Sequence, residues 1–112
     1  MRVIVTGGRN YGAKDTAFAF LDTIHAATPI TTIIHGGARG ADKLAAEWAF
    51  ERRVTQVVFH ARWAELGKAA GPIRNSEMVN GGADLCVAFP GGAGTADCVA
   101  KAKVAMIKVV EP

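Results

Sequence analysis

Thr31-Thr32-Ile33-Ile34-His35-Gly36-Gly37-Ala38-Arg39-Gly40-Ala41-Asp42 passes from a β-branched run, through three glycines, into an apolar helix pattern. Leu85-Cys86-Val87-Ala88-Phe89-Pro90-Gly91-Gly92-Ala93-Gly94-Thr95 repeats the device near the C-terminus. Glycine lets the backbone approach a ligand closely and adopt conformations that side chains forbid. A helix starting behind such a turn directs unpaired N–H groups and the positive end of its dipole at whatever sits there, and an anion is the favoured guest.

Outward from these two turns, short β-branched runs alternate with longer helical segments. Val3–Thr6 reads as a first strand ending in Gly7-Gly8. A helix follows over Asp15–Ala27, with Ala17, Phe20, Leu21 and Ile24 on one face. Thr31–His35 is the second strand, Ala41–Arg53 a helix with Leu44, Ala45 and Trp48 inside, and Thr55–His60 the third strand. Arg62–Gly71 reads as irregular, and Pro72 suits the first turn of a helix running to Asn80. Leu85–Phe89 is the fourth strand, Thr95–Val104 a helix that Thr95 is placed to cap, and Met106–Val110 the last strand. Strands that read as continuous apolar runs belong to parallel sheets covered on both faces. The expectation is an α/β chain: a three-layer sandwich, Rossmann-like, with a parallel sheet of about five strands in one domain over residues 1–112. In such sheets ligands bind at the carboxyl ends of the strands, and Gly7-Gly8, Gly36-Gly37 and Gly91-Gly92 all fall at that edge.

Composition narrows the function classes. The chain has 112 residues, half of them hydrophobic, with net charge +3, which suits a globular domain with one core. The mild basic excess is compatible with an anionic ligand but includes no lysine/arginine run of the kind found in nucleic-acid tails. No apolar stretch approaches the roughly 18 to 20 residues of a membrane span, and the N-terminus enters Arg2-Val3-Ile4-Val5 without a secretory signal. Two lone cysteines, Cys86 and Cys98, on core elements read as a reducing, cytoplasmic setting. His25, His35 and His60 share no metal-ligand spacing, so no metal is expected. Neither turn carries the Gly-Lys-Ser/Thr ending of an NTPase loop or a G-x-G-x-x-G fingerprint, and no cofactor is implied.

Several side chains accompany the glycines at the predicted edge. Arg9, Arg39 and Arg74 stand in or beside the turns, where guanidinium groups would clamp a phosphate. Thr95 would cap its helix or donate to a phosphate oxygen. Asp42 favours the start of its helix, as a cap or as an acceptor for a ribose hydroxyl. Asp97 offers the same choice on the last long helix, but facing the turn it would repel a phosphate. Trp63 either stacks on a base or seals the domain edge, and Trp48 is core or subunit interface.

Thr6-Gly7-Gly8-Arg9, Gly36 to Asp42, Trp63 with Gly67 to Asn75, and Pro90 to Thr95 together resemble the SLOG superfamily, in particular its YspA/cpYpsA-related branch. The superfamily is named for the DNA-processing Smf/DprA proteins and the Lonely Guy enzymes. The resemblance implies binding of a nucleotide or nucleotide-derived ligand, with Gly7, Gly8, Arg9, Gly36, Gly37, Arg39, Asp42, Trp63, Arg74, Gly91, Gly92, Gly94 and Thr95 around it, and a homodimer. Lonely Guy enzymes hydrolyse an N-glycosidic bond with an arginine and the second of two glutamates that follow their Pro-Gly-Gly-x-Gly-Thr motif. Arg74 matches that arginine, Asp97 stands at the first glutamate's position and Cys98 at the second's. A thiol does not replace a carboxylate in that chemistry, so the enzyme alternative rests on Arg74 with Asp97 or Asp42 as the carboxylate. A third reading is single-stranded nucleic-acid binding, less favoured because such sites need a basic groove and stacking platforms.

Overall fold

A computed structural model describes residues 1–112. Five strands, β1 (Arg2–Thr6), β2 (Thr32–His35), β3 (Thr55–Val58), β4 (Leu85–Ala88) and β5 (Lys108–Val110), form one sheet in the order β3-β2-β1-β4-β5. Every neighbouring pair is parallel, with β1 in register against both β2 (Ile4 opposite Ile34) and β4 (Ile4 opposite Cys86). The Rossmann-like α/β sandwich expected from the sequence is the observed architecture.

The sheet divides the core. Val3, Val5, Ile33 and Val87 face α1 (Lys14–Ala27) and α2 (Ala41–Glu51), which contribute Leu21, Leu44, Ala45 and Trp48. Ile4, Ile34 and Cys86 face α4 (Ala70–Asn80) and α5 (Ala93–Val104), which contribute Met78, Val79, Cys98 and Ala102. Alternate residues of β1 thus enter opposite apolar layers, which is why the strand reads as an unbroken apolar run. Trp48 belongs wholly to the core, and its indole N–H donates to Asp22 Oδ1 at 2.9 Å.

Four local expectations change. The segment expected to be irregular forms α3 (Trp63–Leu66) and a 3-10 turn (Gly67–Ala69) leading directly into α4. Pro72 sits third in that helix, within the first turn, where its missing N–H has no intrahelical acceptor to lose. Thr95 does not cap α5: the helix begins two residues earlier, with Gly92 at the cap position and no side-chain cap hydrogen bond. The last strand starts at Lys108, because Met106 adopts φ 62° and closes α5, its N–H reaching Lys103 O and that of Ile107 reaching Ala102 O. Arg53, expected as the end of a helix, closes α2 in the same left-handed conformation at φ 57°.

The connections β1–α1–β2–α2–β3 progress toward one edge of the sheet, and β4–α5–β5 toward the other. The strand order therefore reverses between β1 and β4. The loops leaving these two strands diverge there and leave a crevice, the usual ligand position in open α/β sheets.

Candidate functional site

A cleft of about 510 Å³ opens at this reversal point. Thr6, Gly7, Gly8 and Arg9 line it from the end of β1, Ala38 and Asp42 from the β2–α2 connection, and Trp63 and Lys68 from the segment before α4. Gly71, Pro72, Arg74, Asn75 and Met78 of α4 form another wall, and Gly92 to Thr95 with Asp97 the last. Of the residues the sequence singled out, Gly7, Gly8, Arg9, Asp42, Trp63, Arg74, Gly92, Gly94, Thr95 and Asp97 meet in this one space.

Gly36, Gly37, Gly91 and Arg39 do not line it. Gly36 leaves room for the Arg74 guanidinium, which would collide with any Cβ there. Gly37 packs on the His60 ring and Val58, and Gly91 lies against Thr95 and the backbone of Gly8. These three glycines position other groups. Arg39 is exposed to solvent, one residue beyond the cleft-lining Ala38. Gly40 explains the path of this loop: at φ 77° it lets the chain turn tightly over Gly8 and Arg9, and the Ala41 N–H donates to Gly8 O at 3.1 Å.

Asp42, only 7 % exposed, holds the loop rather than capping its helix. Its Oδ2 accepts the Gly36 and Ala38 N–H groups, each at 3.2 Å. Burial pushes its carboxyl above the ordinary range, partly offset by those hydrogen bonds and by the nearby His35 and Arg74. Arg74 is fixed by Nη1 donating to Gly36 O at 2.8 Å and by Nε donating to Asn75 Oδ1 at 3.0 Å, while Nη2 has no protein partner.

Asn75 is a residue that the sequence reading missed. Its side-chain amide donates to Gly94 O at 3.1 Å and to Asp97 Oδ2 at 3.0 Å, so it ties the first turn of α5 to the Arg74 side chain. Lys101 Nζ also reaches Asp97 Oδ2 at 2.9 Å and Pro72 O at 2.7 Å. Burial works against ionisation of Asp97, yet the hydrogen bonds from Asn75 and Lys101 and the Lys101 charge hold its carboxyl below the usual range. Lys68, also missed, adds a third cation to Arg9 and Arg74 in the cleft, against the two carboxylates. Its position between Gly67 and the helical Ala70-Gly71-Pro72 was the only available signal, and it is a weak one.

Cys98 is fully buried and does not line the cleft. It lies against Cys86, whose thiol is pushed up by that partner and by burial. At the mouth, the Arg9 guanidinium lies 5.1 Å from the centroid of the Trp63 ring, and Trp63 is 47 % exposed. The first-turn N–H groups of α5 have no intrahelical acceptor and no side-chain cap, and Gly92 and Gly94 have open space where a side chain would stand. Chemically, the cleft offers oriented amides and cations for an anion, a flat aromatic surface, and two carboxylates set in different environments.

The sequence profile of the YspA, cpYpsA-related SLOG family matches residues 1–66. The chain is also 42% identical to the Gene 61 protein of Mycobacterium phage D29 over 117 aligned residues, covering 97% of this chain and 94% of the relative. No solved structure matches significantly. The fold, the glycine turns at the reversal point and the profile match agree: the chain belongs to the YspA, cpYpsA-related SLOG family.

Proposed function

We propose that this domain binds a nucleotide or nucleotide-derived ligand in the cleft between the ends of β1 and β4. The observation that carries the reading is the uncapped N-terminus of α5, whose Gly92–Thr95 turn lines the same cleft as Arg74 and the exposed ring of Trp63. A phosphate on the α5 amides meets the positive end of the helix dipole with little desolvation left to compensate. Arg74 contributes its free Nη2, and Thr95 its hydroxyl. Gly7 and Gly8 shape the sugar side, and Trp63 covers the base. Family membership supports a nucleotide-related ligand in general.

A Gly92→Val substitution tests the cradle. A Cβ added at Gly92 meets no protein atom within 4 Å, so the sheet should remain folded while the branched side chain blocks the approach to the α5 amides. Thermal-shift titration with nucleoside mono- and diphosphates, dinucleotides, ADP-ribose-type compounds and cyclic nucleotides should raise the melting temperature of the parent and leave the variant unmoved. Retained affinity in folded Gly92→Val refutes the cradle.

A second reading, hydrolysis of an N-glycosidic bond, is favoured by one observation: Arg74 and Asp97 line the same cleft and are joined through Asn75. It predicts free base released from a nucleotide and loss of that release in Asp97→Asn. A homodimer and a cytoplasmic setting complete the proposal. The dimer is supported by the exposed apolar side chains of Val104 (85 %) and Met106 (92 %), and the reducing setting by the chain's cysteine usage, two thiols both buried in core elements. Trp48, being core, supplies no interface. Sedimentation velocity checks the oligomeric state.

A further inference from the structure

Asp42 has one engaged oxygen and one free. Oδ2 accepts both loop N–H groups, whereas Oδ1 has no partner within the protein. No fully buried side-chain polar atom in the molecule lacks a partner, so Oδ1 keeps access to the cleft that Asp42 lines. A carboxylate only 7 % exposed is costly to keep charged, and the loop would be held equally well by an asparagine oxygen. The second acceptor is what distinguishes aspartate here.

What it accepts follows from the order of groups along a nucleotide, on the reading proposed above. A phosphate belongs on the α5 amides, and it is repelled by a second anion, so it does not sit on Asp42. A planar base belongs at the mouth, where Trp63 offers the exposed ring and Arg9 already rests on it. The sugar is the piece between them, and Asp42 and Thr6, both nearly buried, line the same cleft and are left to meet it. We propose that Asp42 Oδ1 accepts a hydrogen bond from a ribose hydroxyl, so that the cleft selects ligands carrying a ribose phosphate with a free 2′,3′-diol over deoxy and dideoxy forms. A carboxylate on a sugar diol is a recurrent solution at open α/β sheets. A site built to pair with a hydroxyl rejects the analogue lacking it, because its own acceptor is then left dry and unmet.

The test compares the four common ribonucleoside 5′-monophosphates with their 2′,3′-dideoxy counterparts, alongside ribose 5-phosphate and inorganic phosphate, by calorimetric titration. For whichever base binds best, the expected result is dideoxy binding weaker by about tenfold or more. In Asp42→Asn, which can still accept from Gly36 and Ala38, that ratio should shrink toward one, with urea unfolding confirming an intact fold. Equal affinity for the ribo and dideoxy forms overturns the diol reading while leaving phosphate binding in place. Equal affinity for both sugars combined with binding only of amine-bearing bases also overturns it and moves Asp42 to the base. Failure of every ribonucleotide and of ribose 5-phosphate to bind overturns this inference, and the nucleotide reading falls with it when the wider panel of dinucleotides, ADP-ribose-type compounds and cyclic nucleotides also fails to bind.

Discussion

Asn75 directs its amide three ways: to Gly94 O, to Asp97 Oδ2 and, as acceptor, to Arg74 Nε. At 3 % exposure none of these partners is replaced by bulk water. Asn75→Ala should therefore destabilise the fold by roughly 2–3 kcal/mol in urea denaturation, the range for deleting buried hydrogen bonds that involve charged groups. The same change removes a donor from Asp97, so its carboxyl pKa should rise toward the ordinary value, which carboxyl NMR would follow. A loss below about 0.5 kcal/mol would contradict the strut, since that is the range of an unremarkable surface change. Arg74 and Asp97 were legible as individual residues beside glycine turns. Asn75 was not, because a polar residue beside a helical arginine looks the same whether it is solvated or buried, and only contact with α5 distinguishes the two.

Two helices end on residues poorly suited to the conformation they adopt. Arg53 after α2 and Met106 after α5 both take positive φ, where a Cβ crowds the backbone at a cost of about 1–2 kcal/mol. Each is held by the hydrogen bonds that follow: Val54 N–H to Ala49 O at 2.8 Å, and Ile107 N–H to Ala102 O at 2.9 Å. Glycine is the usual residue at this position. Arg53→Gly and Met106→Gly should each raise stability by about 0.5–1 kcal/mol, the relieved strain less the entropy lost on ordering glycine. Thermal unfolding of the single variants would show it, and a fall in either would mean that the side chain itself contributes more than the strain costs. The same geometry explains why element boundaries were hard to read. Without glycine as punctuation, the sequence reading ran the second helix on to Arg53 and began the last strand at Met106. The start of α5 was misplaced for a related reason: Thr95 resembles a cap residue, but Gly92 lets the backbone turn into the helix sooner.

At the scale of the whole molecule, α1 and α2 are fastened through one carboxylate. Asp22 accepts from Trp48 Nε1 and, in a bidentate pair, from Arg52 Nε and Nη2, each Arg52 bond at 2.8 Å. The Arg52 hydrogen bond leads the interactions that hold the Asp22 carboxyl below its ordinary value of 3.8. A depressed folded-state pKa contributes stability that is complete above the unfolded value and is lost as pH falls through the folded one. The stability difference between the parent and Asp22→Asn should thus be full near neutral pH and shrink toward zero in acid. Melting temperatures across that window check it, and a constant difference would show that the ionic pairing contributes nothing. The pair is partly exposed, so high salt should also weaken it.

The fold class, the five strands and their sequence in the chain, and the glycine turns that leave the strands were legible without any tertiary contact. Those properties are local: periodicity reports which faces of an element are buried, and glycine marks where a chain must bend or be approached closely. Only the tertiary structure decided that β1 sits between β2 and β4, and hence that the loops after β1 and β4 diverge to open the cleft. It also decided that Gly36 and Gly91 make room for Arg74 and Thr95 rather than for a ligand, that Arg39 faces solvent, and that Cys98 is sealed in the core while its neighbour Asp97 reaches the cleft. The physical reason is the same in each case. Strand order and side-chain neighbours are set by long-range packing of two apolar layers on one sheet, and no short window of sequence contains both partners of such a contact.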